Sequence, residues 1–519
     1  MSSQKFVRHA GAVSFATLLS RILGYVRDAL VASAFGGGHL TDAFYAAFRL
    51  SNLLRRMLGE GPLATAFVPV FSEHLAKHEP RQARDFFQSL FTTLGVLLLV
   101  LVGIGMLGSP WIVALAAGGF KSANPATFDL TVTLTRQMFP FLLFVCLAAI
   151  SSAALNALGH FFIPALAPAM LSVATIVYVL CIKQWAMDPM QGLAISTTIG
   201  GLLHLAMVWP LLHREGIAPR WKWNPGHPDI RRVGLLVIPA LWGLSIDQVN
   251  AYVDTICASF LREGSVTALY NSNRLMQFAL ALFGVSISTA TLPHLSMSAA
   301  REEWAAFKEN LNFSLRMTLY LVVPAMVGLI VLAHPLVKTL FQHGLFTPQQ
   351  TLMTASALVA YTLGLPAYAV VKVVVTAFYA RKDTKTPVQV ATVCLFLNMA
   401  GNVLLMKRWG VGGLAFATAF SSFVNGGILL WLLRRKIGAL GGRKMLRTAV
   451  GSAAASAIMA AGAWASLRWA PGPLPFRALG AVTVGTGLYL FISWAARLEE
   501  FGHLRDILRR RTAEDISPE

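Results

Sequence analysis

Val68-Pro69-Val70-Phe71-Ser72 closes one long apolar stretch and Leu292-Pro293-His294-Leu295-Ser296 closes another, with Pro69 and Pro293 224 residues apart. A charged amphipathic segment follows each, and Arg84-Asp85 matches Lys308-Glu309 at the same offset. Farther along, Ala154-Leu155-Asn156-Ala157 leading to Pro164 returns as Ala377-Phe378-Tyr379-Ala380 leading to Pro387, at an offset of 223. Three matches whose spacings agree to within one residue mark an internal duplication, and the residues between them say what was duplicated. The chain is 56% hydrophobic and 13% charged, with a mean hydropathy of +0.62, far from the composition of a soluble domain.

Apolar windows of membrane-spanning length fall near 10–34, 42–70, 88–107, 131–157, 161–183, 190–212, 233–261, 266–293, 313–341, 352–379, 387–406, 411–433, 447–467 and 477–496. The expected fold is an all-α polytopic membrane protein with about fourteen spans. Six spans per half is an even number, so the two halves insert with the same orientation, related by a pseudo-twofold axis along the membrane normal. The expected divisions are an N-terminal lobe over 1–220, a C-terminal lobe over 221–436, and two additional helices with a basic tail over 437–519. Such a plan points to alternating access, with a site near mid-membrane between the lobes.

The net charge of +20 is spread along the chain, which argues against a nucleic-acid partner. Lys and Arg collect in alternate loops, from Lys5 and Arg8 through Arg231 and Arg232 to Arg509, Arg510 and Arg511. The positive-inside rule then places both termini in the cytoplasm, which requires an even number of spans. Arg21, Arg27 and Asp28 interrupt the first apolar core, against a cleavable signal peptide. Cys146, Cys181, Cys257 and Cys394 have no metal-ligand spacing and read as packing residues.

Charge inside the spans carries the functional signal, since it survives there only against a cavity, a partner or a substrate. Arg21 and Arg27 lie about 120° apart on a helix and line one broad face. Asp28 points about 100° away from Arg27 and is better placed to pair with another helix. Arg49 and Arg56 share a stripe that Arg55 borders, and Glu60 stands at ion-pair spacing from Arg56. In the second half Arg274, within Tyr270-Asn271-Ser272-Asn273-Arg274, is the counterpart. A cavity collecting these guanidinium groups suits an anion, above all a phosphate. The alternatives are snorkelling at span ends, which applies most to Arg49 and Arg56, and a structural network with Asp28, Asp42 and Glu60. Asp247 and Asp254, seven residues apart, are candidates for a coupling cation or for hydrogen-bonded structural carboxylates; Lys372 is equally ambiguous. No P-loop, GxSxG, HExxH or acidic metal-binding motif occurs, so the chain reads as a transporter rather than an enzyme. It needs no cofactor, and its energy would come from the membrane potential or a monovalent cation.

Ser20-Arg21-Ile22-Leu23-Gly24-Tyr25-Val26-Arg27-Asp28, Thr41-Asp42-Ala43-Phe44, Asn52-Leu53-Leu54-Arg55-Arg56 with Glu60-Gly61, and Ala66-Phe67-Val68-Pro69 resemble the opening of the MurJ (MviN) family of bacterial lipid II flippases. Tyr270 to Met276 and Tyr379-Ala380-Arg381-Lys382-Asp383-Thr384-Lys385-Thr386-Pro387 resemble its second-half motifs, and the likeness covers essentially the whole chain. The resemblance implies the multidrug/oligosaccharidyl-lipid/polysaccharide exporter fold and a cationic central cavity. It also implies substrate-binding roles for Arg21, Arg27, Arg55 and Arg274, a sensitive position at Asp42, and supporting positions around them, Asn52 included. It further implies the bacterial cytoplasmic membrane as location, lipid II as substrate, a lipid-facing groove for the polyprenyl tail on the last two helices, and membrane lipids and cell-wall synthesis or division proteins as further partners. Asn273 and Gln277 stand where some relatives carry acidic residues, and sodium coupling would rest mainly on Asp247. A flippase for another polyprenyl-linked glycan, a drug exporter, a polyprenyl-phosphate enzyme and a scaffold are the competing readings. A drug exporter for cations favours a carboxylate-lined cavity, and an enzyme of that type needs acidic metal ligands.

Overall fold

Long apolar runs without strand-like alternation satisfy their backbone only by coiling on themselves, and every regular element among the described residues is helical. The computed structural model describes the backbone of residues 3–58, 62–77 and 80–514, and the side chains of 11, 13–57, 63–76, 81–237 and 248–506. Two compact units emerge from packing: residues 1–267 with 343–347, and residues 268–342 with 348–519.

The first unit contains α1 (Ser3–Phe35), α2 (His39–Leu58), α3 (Pro62–Lys77), α4 (Pro80–Leu107), α5 (Ser109–Ala116), α6 (Gly119–Ala123), α7 (Pro125–Ala157), α8 (Phe162–Leu166), α9 (Ala169–Val177), α10 (Pro189–Arg214) and α11 (Pro228–Ser259). Phe67 and Phe71 of α3 stack 5.0 Å apart and meet Phe86 and Phe87 of α4, forming the centre of its core with Leu142 and Cys146 of α7. The unit extends past residue 220 because α11 lies against α2 and α3.

α12 (Ser265–Ala279) starts in the first unit and continues into the second. There follow α13 (Ser286–Ala300), α14 (Trp304–Val331), α15 (Ala333–Phe341), α16 (Pro348–Leu363), α17 (Leu365–Ala380), α18 (Lys385–Ile437), α19 (Gly442–Trp469), α20 (Leu474–Ala495) and α21 (Glu499–Glu514). Phe307, Leu311, Val373, Phe378, Cys394 and Leu429 belong to this unit's main core. Cys146 and Cys394 are buried as packing residues, Cys257 is half-buried, and Cys181 is exposed.

The duplication is visible in the helix boundaries. α4 and α14 both have 28 residues, and their first residues, Pro80 and Trp304, stand at the 224-residue offset of the two prolines. Pro69 lies inside α3 and Pro293 inside α13. The single helix α7 corresponds to α16 and α17 together, which bend by 43° around Gly364.

By length and apolarity, eight helices among the described residues qualify as membrane spans, or nine with the bent α16–α17 pair. The figure is lower than fourteen partly because α18, with 53 residues, counts once. At about 1.5 Å per residue it is far longer than one bilayer crossing. It is a hairpin: Asn398 donates to Thr418 at 2.9 Å, Ser421 donates to the Cys394 carbonyl at 2.6 Å, and the reversal falls at Gly410, where φ is +54°.

α19 and α20 attach to α14 around the buried Arg316. Arg316 donates to Glu499 at 2.8 Å and lies 2.9 Å from the Glu500 carboxylate, which also accepts from Thr448 at 2.7 Å. Tyr489 donates to the Tyr320 carbonyl at 2.6 Å one layer away. A lone buried guanidinium would be costly, and the two carboxylates offset that cost.

Gly410 supplies a backbone conformation that a side chain resists, whereas Gly412 has an ordinary φ and open space beside it. Gly410→Val is expected to cost about 1–3 kcal/mol and Gly412→Ala to have no measurable effect. Thermal unfolding in detergent reads both, and equal melting of the two variants would contradict this assignment.

Candidate arginine site

Between positions 21 and 56 the chain carries five arginines and two aspartates, all on α1 and α2. The structure gives them different tasks. Arg21 is exposed on α1 and forms no side-chain hydrogen bond or ion pair among the described residues. Arg27, two turns on, is buried, and its Nε and Nη2 donate to one oxygen of Asp28 at 2.9 and 2.6 Å. Its guanidinium also stands 5.6 Å from the Phe48 ring centroid of α2. Asp28, whose direction suggested another helix, thus has a partner on its own. Although their Cβ atoms point apart, the arginine stem is long enough to curl around the helix, and two buried opposite charges gain strongly from meeting.

α2 is tied along its length to α11 and to the turn that follows it. Arg49 Nη1 donates to Thr255 Oγ1 at 2.6 Å and to the Ala251 carbonyl at 3.3 Å. One heptad later Arg56 Nη1 donates to Gln248 at 3.3 Å. The seven-residue spacing that put these arginines on one stripe therefore meets a matching stripe on α11. Arg55 borders the stripe, and its Nε is oriented by Asn52, 2.8 Å away on the preceding turn. The Arg55 charge lies close enough to the buried His204 of α10 to bear on its imidazole. Sequence reasoning passed over His204; the available signal was a histidine in the middle of an apolar span.

Asp42 sits in the first turn of α2, fully buried. One carboxylate oxygen accepts from the Gly264 N–H at 2.6 Å; the other accepts from the Thr267 N–H at 2.8 Å and its hydroxyl at 2.7 Å. These are the unpaired donors at the start of α12, so Asp42 caps that helix from a distant part of the chain and places a negative charge at the positive end of its dipole. Arg274 is on the same helix, half-buried, beyond Asn271 and Ser272, which are fully buried. Asn273 accepts from Gln277 one turn on. Asp254 is buried on α11, whereas the Asp247 side chain and Glu60 lie outside the described residues. Arg21, Arg27, Arg49, Arg55 and Arg56 thus belong to one packed unit, and Arg274 to the other.

The sequence model of the family described as lipid II flippase MurJ matches residues 31–474. The chain belongs to the MurJ family. A probable lipid II flippase of Vibrio cholerae is 37% identical over 433 residues, covering 82% of each chain. One from Rhizobium meliloti is 32% identical over 518 residues, covering 97% of this chain and 96% of its own, and the lipid II flippase of Burkholderia cenocepacia is 35% identical over 430 residues, covering 82% and 83%. A solved MurJ structure in an inward closed conformation superposes with a TM-score of 0.77 at 28% identity, covering 96% of this chain and 99% of its own. An inward-facing multidrug transporter of the MATE family shares the fold with a TM-score of 0.67 at 12% identity, covering 81% and 95%. Members of the MurJ family are transporters, not enzymes, and with its apolar helices this chain is a multi-pass membrane protein.

A short turn of charged residues joins α17 to α18. Asp383 accepts from the Thr386 N–H at 3.0 Å and hydroxyl at 2.7 Å, capping α18, and pairs with Lys436. Arg381 lies 5.1 Å from the Trp304 ring centroid. Burial alone would raise the Asp383 pKa; the Lys436 ammonium and the Thr386 donors outweigh it and hold the carboxyl at about 2.

Two tests follow from these caps. Asp42→Ala leaves buried N–H donors without acceptors and should cost about 2–4 kcal/mol, whereas Asp42→Asn retains part of the cap and should cost less; thermal unfolding ranks them. Asp383 has a depressed pKa, so its contribution is complete above the ordinary carboxylate value of 3.8 and disappears as pH falls through about 2. Asp383→Ala should therefore lower the melting temperature at pH 7 and lose that effect at pH 2; a pH-independent difference would remove the ion pair as its cause.

Proposed function

We propose that this chain flips lipid II, the polyprenyl-pyrophosphate-linked peptidoglycan precursor, from the cytoplasmic to the outer leaflet of the bacterial cytoplasmic membrane. The observation that carries this reading is the concentration of arginines on α1 and α2, in a chain of the MurJ family. Arg21 is exposed, Arg55 is oriented by Asn52, and Arg27 is held by two hydrogen bonds to Asp28. A pyrophosphate offers several acceptor oxygens and two or more negative charges, which planar guanidinium groups grip through paired hydrogen bonds. Arg274 is assigned to the same substrate from the second half of the chain. Arg49 and Arg56 are assigned instead to holding α11, and Asp28, Asp42 and Asn52 to positioning.

The duplicated helices support a transport cycle in which two six-helix lobes, 1–220 and 221–436, present this cationic site alternately to the two sides of the membrane. Fourteen spans with both termini cytoplasmic fit the distribution of basic loops. The polyprenyl chain stays in lipid along α19 and α20, whose outward faces carry Val450, Ile458, Leu479 and Phe491. The membrane potential or a monovalent cation drives the cycle, since moving charged groups through the field does work directly.

The test uses cells depleted of their own flippase and measures lipid II accessible at the outer surface. Arg21→Ala, Arg55→Ala and Arg274→Ala should each reduce it by about 10- to 100-fold, the loss of one or two charge-assisted hydrogen bonds. Arg49→Ala should instead act mainly by lowering the melting temperature. Normal lipid II exposure with stably expressed Arg21→Ala and Arg274→Ala would refute the arginine site.

A further inference from the structure

Equivalent helices of the two halves grip the chain that leaves each half. On α4, Gln88 donates to the Ala218 carbonyl at 2.8 Å. One turn on, Thr92 donates to the Arg220 carbonyl at 3.4 Å and accepts from the Lys222 N–H at 3.1 Å. These partners lie in the irregular segment between α10 and α11. On α14, Asn312 stands 224 residues after Gln88, and it donates to the carbonyls of Leu440 at 2.6 Å and Gly441 at 3.3 Å, in the segment between α18 and α19. Gly441 permits this approach: its φ is +71°, and a Cβ there would stand 2.7 Å from the Asn312 amide nitrogen. The duplication thus includes the grip on the exit as well as the helices.

In the second half the grip goes further. Arg316 stands 224 residues after Thr92, and where Thr92 meets a loop, Arg316 meets the two carboxylates that open α21. One more turn along α14, the Tyr320 carbonyl accepts from Tyr489 of α20, and the two rings lie 5.3 Å apart. Asn312, Arg316 and Tyr320 follow one another at helical spacing and form one stripe, which holds the entry to α19, the start of α21 and α20. In the first half the same stripe reads Gln88, Thr92 and Val96, without charge or ring. Elsewhere along α19 and α20 the packing is by small residues: Ala463 and Ala481 are buried with Leu332, and a Cβ on Gly485 would meet Ala463 and Met459 at 3.4 Å. Such apolar contacts are non-directional, whereas a planar guanidinium set against carboxylates favours one register.

We propose that Asn312, Arg316 and Tyr320 are positioning residues that fix the register of the α19–α20 pair, and through it the selectivity of this chain for long polyprenyl chains over short ones. The proposal rests on the reading above that the polyprenyl chain lies along α19 and α20. Val450, Ile458, Leu479 and Phe491 are exposed on these helices. A long apolar chain gains from all of them only while the two helices keep one register, because each contact contributes in proportion to the area it covers. A short chain spans few of them and is held by its pyrophosphate. Arg316 is not itself offered to that pyrophosphate, since it is buried and carboxylates already meet it.

The experiment compares equilibrium binding of undecaprenyl pyrophosphate and farnesyl pyrophosphate to the purified full-length chain in one detergent. The unsubstituted chain should prefer the longer ligand by at least about tenfold. Arg316→Met alone would leave Glu500 buried without its partner and endanger the fold, so the test variant combines Arg316→Met with Glu500→Met. In protein with an intact melting curve, this variant should bind farnesyl pyrophosphate as the unsubstituted chain does and lose most of the preference. Tyr489→Phe should lose part of it. A preference that stays intact in the double variant overturns the proposal, as does an equal loss for both ligands, which a merely structural role would give. An unsubstituted chain that binds both equally also overturns it. Binding of neither pyrophosphate refutes the proposed function instead, and the positioning is then read without ligand, from hydrogen exchange. The double variant should exchange several-fold faster over 442–495 and not over α4 or α7; unchanged exchange overturns the proposal independently of what is transported.

Discussion

The carboxylate of Asp42 on the N–H groups of Gly264 and Thr267 is the contact on which the geometry around the arginines depends. A helix start carries unpaired donors and partial positive charge, and in apolar surroundings neither water nor a neutral chain end can satisfy them. A buried aspartate is equally costly alone. Each removes the other's penalty, so α2 and the first turn of α12 become one piece. From that anchor α2 runs antiparallel to α11, with Arg49 reaching Thr255 and Arg56 reaching Gln248. Three ties along one helix leave Arg55 on a fixed flank, and Asn52 then sets the direction of its guanidinium.

Charge in this region is consequently divided by role. Arg49 and Arg56 give hydrogen bonds to Thr255 and Gln248 of α11, which fix their position. Arg27 is different, because Asp28 takes two of its donors and compensates its charge. The exposed Arg21 faces no such compensation among the described residues. A field that is positive yet spatially ordered attracts an anion and orients it, and ordered donors lose less entropy on binding than free side chains do.

Much of this was legible in the sequence. The spacing of Pro69 and Pro293 anticipated the matching starts of α4 and α14, whereas their equal lengths were hidden because charged residues open both helices ahead of the apolar run. The seven-residue spacing of Arg49 and Arg56 anticipated a common stripe. Asn52 preceded Arg55 by one turn, a local relation that periodicity reveals. Contacts between distant backbone atoms were not legible. Nothing in the side chains of Gly264 or Leu345 announces that its N–H meets Asp42 or Ser33, because backbone donors are the same at every residue. The Arg27–Asp28 pair was hidden for another reason: the direction of a Cβ bond predicts where a short side chain points, but it does not limit a four-atom arginine stem. The hairpin within α18 was readable as two apolar windows, whereas the place of its reversal required knowing which of several glycines adopts a positive φ.

The two distant caps also differ in what breaking them demands. Asp42 binds its donors with a buried charge, so separating them would leave both a carboxylate and several N–H groups without partners. Ser33 and Leu345 exchange only one neutral hydrogen bond at a helix terminus, and water is an adequate substitute wherever such a terminus reaches the aqueous face. A transporter must retain its substrate-gripping elements as rigid bodies while it changes the surfaces open to each side. A charged, buried cap such as that of Asp42 suits an element that keeps its geometry, because neither its carboxylate nor its donors find a cheap substitute once parted.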